Sequence, residues 1–220
     1  MRRSVREDRG LTMTELIIAM GIFGILMAIV FSIMIMLTYQ ARDSLARAES
    51  VEQARLGISH IDRQVRSGNL IANPANETFA NSGVAPYFSL RIYTQEDGND
   101  QCVQWRVIDH DGDGFHDLEF RSWEPSDATD HTDWAVVAHN IVVPDAIDTT
   151  APTGESWPPF FVDNANVGQS ESQFVRITLR LLEPDASPGA KPSTVTTVVT
   201  GRNTVFGYPT STCSNVPSPD

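Results

Sequence analysis

Four aspartates between residues 109 and 117 have a spacing that could bind a metal ion. They are Asp109, Asp111, Asp113 and Asp117. Three acids at alternate positions followed by Gly114 match the first half of a calcium-binding loop, in which carboxylate oxygens coordinate the ion. Asp117 stands at the ninth position of such a loop, but Phe120 occupies the twelfth position, which normally carries a bidentate acid. Calcium is the one cofactor that this pattern suggests.

The same segment also fits a tight turn between two strands. Val103, Trp105 and Val107 alternate before it, and Leu118 and Phe120 alternate after it, as expected for a β-hairpin. Asp-Gly pairs are common in such turns because both residues tolerate the backbone angles that the turn requires. Two interpretations therefore stand for the Asp-rich segment, a cation site and a plain hairpin turn.

The most apolar part of the chain lies near the N-terminus. Residues 16–37 form a run of 22 residues without a charged side chain. At about 1.5 Å per residue, a helix of this length spans roughly 33 Å, enough to cross the hydrocarbon core of a bilayer. The run is too long for the core of a secretory signal peptide, and the following sequence MLTYQARD offers no suitable cleavage site. We therefore predict a membrane helix here.

The distribution of charge predicts the orientation of this helix. Residues 1–10 contain four arginines and two acids, whereas the rest of the chain has 12 basic and 26 acidic side chains, a net charge of −14. Because arginine-rich flanks stay in the cytoplasm, the body of the protein is expected outside the cytoplasmic (inner) membrane. Nucleic acid is not expected as a partner, since so acidic a body has no basic patch.

Two cysteines, Cys102 and Cys213, fall in this outer body. In an oxidising compartment, two cysteines most simply form one disulfide bond. The alternative is a pair of unrelated free thiols. The predicted location of the body therefore favours the disulfide.

An acid stands at the start of the apolar run, where a carboxylate is costly to place in hydrocarbon. Glu15 follows a basic leader that ends in Gly10, and the residues between them read LTMT. A basic leader ending in Gly, then an apolar residue, Thr, two further residues, Glu and about twenty apolar residues resembles the N-terminus of type IV pilins and pseudopilins. The stretch that carries this resemblance covers about thirty residues.

The resemblance implies a processing event and an assembly contact. A prepilin peptidase is expected to cut between Gly10 and Leu11 and to methylate the new amine of Leu11. Subunits of such filaments pack their apolar helices together, so Glu15 of one subunit is expected to pair with the Leu11 amine of a neighbour. The expected partners are thus the prepilin peptidase, the membrane and other pilin or pseudopilin subunits. The alternative for Glu15 is an acid that simply stabilises the first turn of the helix.

The helix is predicted to continue beyond the membrane. Apolar residues recur there at steps of three and four, which marks one face of a helix. They are Ala41, Leu45, Ala48, Val51, Ala54, Ile58, Ile61 and Val65. We predict a helix from Leu11 to about Arg66, with residues 11–38 as its transmembrane or filament-core half and residues 39–68 as its amphipathic half. Residues 1–10 are the predicted leader.

Residues 69–220 are predicted to form a β-rich head with an irregular C-terminal tail. Strands are expected in YFSLRIYT, on both sides of the Asp-rich turn, in WAVVAHNIV, and in the pair SQFVRITLRLLE and STVTTVVTGRNT. The predicted fold class is α+β, a long N-terminal helix packed on an antiparallel sheet, as in pilins. The strings WRV, LEFRSW and GRN are similar to those of the W-like type of minor pilins.

No motif of a catalytic site is present, neither G-x-S-x-G, nor a P-loop, nor H-E-x-x-H, so an enzyme is not expected. The predicted function is that of a minor pilin or pseudopilin in a type IV pilus-like or type II secretion-like filament. The chain is expected first in the inner membrane and then in the filament or at the cell surface. The alternatives are a membrane-anchored extracellular binding protein that uses the acidic turn, and a cell-surface hydrolase on a helical stalk.

Overall fold

The computed structural model describes residues 12–95, 98–162, 174–186, 189–201 and 211–219. The predicted leader and the processing residues Gly10 and Leu11 lie outside these ranges. The chain divides into two compact units, Met1–Leu45 and Ala46–Asp220. Helix α1, Met13–Ser67, contributes residues to both units.

The N-terminal part of α1 is apolar on every side. All large apolar side chains from Leu16 to Leu37 are exposed, with exposed fractions between 38% and 67%. A helix without a polar face lies in a membrane or against other helices. By length and composition, α1 is the one helix among the described residues that could cross a membrane.

The C-terminal part of α1 buries one face in the second unit, starting at Ser50. Its buried apolar side chains are Ala54, Ile58, Ile61 and Val65. The predicted apolar face is confirmed for these residues. Ala41, Leu45 and Ala48 of the same predicted face are exposed, and Ser50 is the first buried residue along α1.

Nine antiparallel strands among the described residues of the second unit form one sheet. Its strands are β1 (Gly68–Ile71), β2 (Ser89–Thr94), β3 (Gln101–Ile108), β4 (His116–Glu124), β5 (Asp127–His131), β6 (Ala135–Ile141), β7 (Phe160–Phe161), β8 (Phe174–Leu181) and β9 (Ser193–Thr200). Their order is β1-β2-β3-β4-β6-β8-β7, with β5 beside β4 and β9 beside β8. A short helix α2, Phe79–Ser82, precedes β2. The predicted α+β class is confirmed.

The central hairpin has two different buried faces. β3 and β4 pair with Trp105 opposite Phe120. Trp105 and Leu118 are fully buried in the main core, together with the apolar face of α1. Because side chains alternate along a strand, Gln104 and Arg106 lie on the other face, and they are also buried.

The strands predicted from alternation correspond to β2, β3, β4, β6, β8 and β9. The sequence analysis did not predict β1, β5, β7 or α2. These elements have between two and five residues, too few for a periodic pattern to show. Residues 202–204 of the predicted last strand and residues 205–210 of the predicted tail lie outside the described ranges.

Candidate functional site

The N-terminus of α1 is closed by reciprocal hydrogen bonds between Thr12 and Glu15. The backbone nitrogen of Glu15 donates to Thr12 Oγ1 at 3.3 Å. The backbone nitrogen of Thr12 donates to Glu15 Oε2, also at 3.3 Å. This capping box gives partners to two N–H groups at the start of the helix. The sequence analysis missed it, although the spacing T-x-x-E is its known signal.

The Glu15 carboxylate is exposed at the beginning of the apolar helix. Its hydrogen bonds to Thr12 both use Oε2, so Oε1 takes part in neither. The capping box agrees with the interpretation of Glu15 as an acid that stabilises the helix start. The predicted partner in a neighbouring subunit, the Leu11 amine, belongs to a residue outside the described ranges, and the pairing stays a prediction.

The turn between β3 and β4 brings three of the four predicted metal ligands together. One carboxylate oxygen from each of Asp109, Asp111 and Asp113 lies within 4.8 Å of the others. Asp117 is not in this group, and its Oδ1 lies 2.9 Å from Nδ1 of His139. Three carboxylate oxygens so close together are of the type that Ca²⁺ prefers.

Backbone hydrogen bonds also account for the position of these carboxylates. Asp109 accepts from the backbone nitrogens of Gly112 and Gly114, at 2.7 and 3.0 Å. Asp113 accepts from the backbone nitrogen of Phe115 at 2.8 Å. Gly112 and Gly114 have φ angles of 76° and 88°, which glycine adopts without strain. These hydrogen bonds are typical of a hairpin turn, which is the second interpretation of the Asp-rich segment.

The pKa of Asp109 lies below its ordinary value. Desolvation raises this pKa, but the N–H groups of Gly112 and Gly114 and the nearby His116 together favour the ionised carboxylate and outweigh desolvation. Asp109 is therefore charged at neutral pH and holds the turn in its charged form.

Two other histidines beside the turn contact acids. His110 Nε2 lies 2.8 Å from Glu119 Oε1, and His139 contacts Asp117. Both histidine side chains are more than half exposed. They thus extend the polar surface of the turn, and His139 contacts Asp117, the fourth predicted metal ligand.

Cys102 on β3 and Cys213 form a disulfide bond, with their Cα atoms 5.7 Å apart. This confirms the predicted pairing. The bond lies in a small second core that contains Tyr93, Trp123 and Ala128. It attaches residues 211–219, which we call the tail segment, to the face of the sheet that carries Gln104 and Arg106. We call this face, which lies opposite the main core, the outer face.

A buried charged network on the outer face of β2, β3 and β4 escaped the sequence analysis. Its members are Glu77, Arg91, Gln104, Arg106, Glu119 and Arg121. Glu77 lies 2.9 Å from Arg91, and Arg106 lies 2.7 Å from Glu119. Gln104 links Glu77 to Arg121, since it donates to Glu77 and accepts from Arg121. Polar residues at alternate strand positions normally indicate a face in water, so nothing local in the sequence signals their burial.

Burial changes the ionisation of this network. Burial raises the pKa of Glu77, and the neighbouring Arg91 only partly opposes it. Burial, followed by the charge of Arg106, lowers the pKa of Arg121 to about 10. Arg121 remains charged at neutral pH, and the charge of Glu77 opposes the lowering of its pKa. For Glu77, the charge of Arg91 and the hydrogen bonds from Arg91 and Gln104 favour the ionised carboxylate.

Residues 6–31 match the family model of the prokaryotic N-terminal methylation motif. The match contains Gly10, Leu11 and Glu15 together with residues 16–31 of the apolar run. No curated protein and no solved structure matches the chain. The motif suggests a structural rather than a catalytic protein, and the apolar helix fits a membrane-anchored precursor with its head outside. The match covers the N-terminal motif alone, and the α+β architecture that follows it is pilin-like.

Proposed function

We propose that this chain is a minor pilin or pseudopilin, a structural subunit of a type IV pilus-like or type II secretion-like filament. The observation that carries the proposal is the position of the methylation motif. It ends inside a helix whose large apolar side chains from Leu16 to Leu37 are all exposed. Such a helix gains stability in lipid before assembly and against other apolar helices afterwards.

Maturation removes the basic leader. A prepilin peptidase cuts between Gly10 and Leu11 and methylates the amine of Leu11, so that the mature chain begins next to the capped start of α1. The precursor lies in the inner membrane with its head outside, and the mature chain moves into a filament or to the cell surface.

Assembly uses Glu15 as the partner of the Leu11 amine in a neighbouring subunit. A buried carboxylate is tolerated when a positive group pairs with it, and an unpaired one is strongly unfavourable. The pairing thus selects one register of helices in the filament. The W-like hairpin strings support the minor-pilin type in particular.

Co-expression with a prepilin peptidase tests the maturation step. The expected product lacks residues 1–10 and starts with methylated Leu11, as intact-mass and N-terminal sequencing would show. Gly10→Ala should abolish cleavage. Gly21→Ala is the matched control, because a Cβ at Gly21 meets no atom within 4 Å. If Gly10→Ala leaves the product unchanged, the pilin proposal fails.

A second candidate is a membrane-anchored extracellular binding protein that takes a cation at the acidic turn. The close approach of Asp109, Asp111 and Asp113 favours it. The backbone hydrogen bonds of Asp109 and Asp113 weaken it, because they explain the same carboxylate positions by the fold of the turn alone. This candidate requires no cleavage after Gly10, so the co-expression experiment also separates it from the first.

A further inference from the structure

The tail segment contacts the outer face of β3 and β4 through its backbone carbonyl groups. Arg106 Nη1 donates to the carbonyl oxygen of Pro219 at 2.8 Å. Arg121 Nη2 donates to the carbonyl oxygen of Pro217 at 3.0 Å, and Arg121 Nη1 donates to that of Ser218. Three successive carbonyls are thus each bound by a guanidinium.

Trp134 completes this binding surface. Its Nε1 donates to the carbonyl oxygen of Pro219 at 3.2 Å. The guanidinium carbons of Arg106 and Arg121 lie 3.8 and 4.2 Å from the centroid of its ring. An indole stacked against guanidinium groups keeps their donors in fixed directions. We call the surface formed by Arg106, Arg121 and Trp134 the tail groove.

Contacts to the sheet and to α2 hold the arginines of the tail groove in place. Arg106 Nε lies 2.7 Å from Glu119 Oε2, and Arg106 Nη1 also donates to the carbonyl oxygen of Ser82. Arg121 donates from Nε and Nη2 to Gln104 Oε1, at 3.1 and 2.8 Å. These contacts involve no atom of the tail segment. Binding the tail therefore requires little additional ordering of the groove.

The tail segment has the chemistry that suits such a groove. Pro217 and Pro219 each fix one backbone angle and lack an N–H group, which favours an extended chain that presents carbonyl acceptors. Aromatic-lined grooves with well-placed donors recognise proline-containing peptides of this kind. The three bound carbonyls belong to residues 217–219, and the first of these follows Cys213 by four residues. The contacts with the tail groove are therefore separate from the disulfide bond.

We propose that the tail groove is a peptide-binding site whose ligand is the proline-containing segment 217–219 of the same chain, and that it holds this segment without the disulfide bond. The disulfide bond then adds a covalent link to a tail segment that the tail groove binds by itself. The proposal concerns the head alone and is independent of whether the chain assembles into a filament.

The test uses a chain of residues 1–220 in detergent with Cys102→Ser and Cys213→Ser. A carboxypeptidase that removes proline trims the C-terminus, and mass spectrometry follows the rate. Adding Trp134→Ala should speed the trimming at least about tenfold, because the docked tail is then populated less. Trp157→Ala is the matched control: this indole lies 4.2 Å from the guanidinium of Arg176, away from the tail groove. It should leave the rate unchanged.

A second measurement adds a labelled peptide with the sequence of residues 213–220, with serine for cysteine, to a Cys102→Ser chain that ends at Thr212. Saturable binding by fluorescence polarisation is expected, weakened by Trp134→Ala and unchanged by Trp157→Ala. A folded truncated chain that does not bind would overturn the proposal. If the truncated chain does not fold by circular dichroism, the trimming rates decide: equal rates with and without Trp134→Ala overturn the proposal.

Discussion

Glu15 Oε2 lies 3.2 Å from the hydroxyl oxygen of Thr12 and 3.3 Å from its backbone nitrogen, so a single carboxylate oxygen closes the start of α1. The cap is complete within one subunit. Any contact of Glu15 with a neighbouring subunit is therefore added to a helix start that is already formed. This separates the structural role of Glu15 from the assembly role proposed for it.

Glu15→Gln should separate these two roles. A glutamine retains an acceptor oxygen for the capping box but has no charge for the Leu11 amine of a neighbour. We expect normal cleavage after Gly10 and at least a tenfold loss of subunit from sheared filaments, since an unpaired buried charge costs about 3–5 kcal/mol. Immunoblots of filament and membrane fractions measure this. If Glu15→Gln assembles normally and Glu15→Ala does not, the cap rather than the charge is what assembly needs.

Gly57→Ala should destabilise the head. A Cβ at Gly57 would lie 2.8 Å from Leu118 Cδ2 and 3.3 Å from Val137 Cγ1. The strain in the packed core should exceed the gain in helix propensity, for a net loss of about 1–2 kcal/mol in the free energy of unfolding. Denaturant unfolding in detergent measures it. Gly24→Ala is the control, because a Cβ there meets nothing within 4 Å; equal stability of the Gly57→Ala and parent chains would contradict the prediction.

Removal of the disulfide should lower the stability of the head while leaving the sheet folded. The bond links residues 111 positions apart, and loss of a native disulfide typically costs about 2–5 kcal/mol, mainly through the entropy of the unfolded chain. Urea unfolding of the Cys102→Ser/Cys213→Ser chain measures the change. An unchanged midpoint would show that the bond does not constrain the unfolded state.

Acid should weaken the turn between β3 and β4. The pKa of Asp109 is lowered in the folded chain, so its contribution to stability is present above the ordinary value of 3.8 and is lost as pH falls through the lower folded value. Asp109→Ala should therefore remove part of the stability near pH 6 and flatten the decline below pH 4, as unfolding measured from pH 6 to pH 2 would show. Parallel pH profiles of the parent and variant chains would contradict this.

Calcium titration distinguishes the two interpretations of the acidic turn. A cation site predicts that millimolar calcium raises the melting temperature of the head, because a ligand that binds only the folded state stabilises it. Asp111→Asn together with Asp113→Asn should abolish the rise. The hairpin interpretation predicts no shift in either chain. Magnesium at the same concentration controls for ionic strength.

The apolar helix and most strands were predictable from the sequence because their signals are local. The charge-free run from Leu16 to Leu37 and the alternation around Trp105 each show within a short window. The very short strands β1, β5 and β7 contain too few residues to show a periodic pattern. Leu45 continues the apolar pattern of α1 yet is 70% exposed, because burial depends on what packs against the helix and not on its periodicity alone.

The sequence by itself determined the N-terminal motif and the α+β class, because each depends on neighbours along the chain, and Gly10, Leu11 and Glu15 are proposed as processing and assembly residues from that motif. Only the tertiary structure decided that Arg106 and Arg121 are buried and that they bind the tail. Their partners, Pro219 and Pro217, lie about a hundred residues away. Alternation predicts that such arginines face water, but in the folded chain the tail segment, Trp134 and α2 cover them.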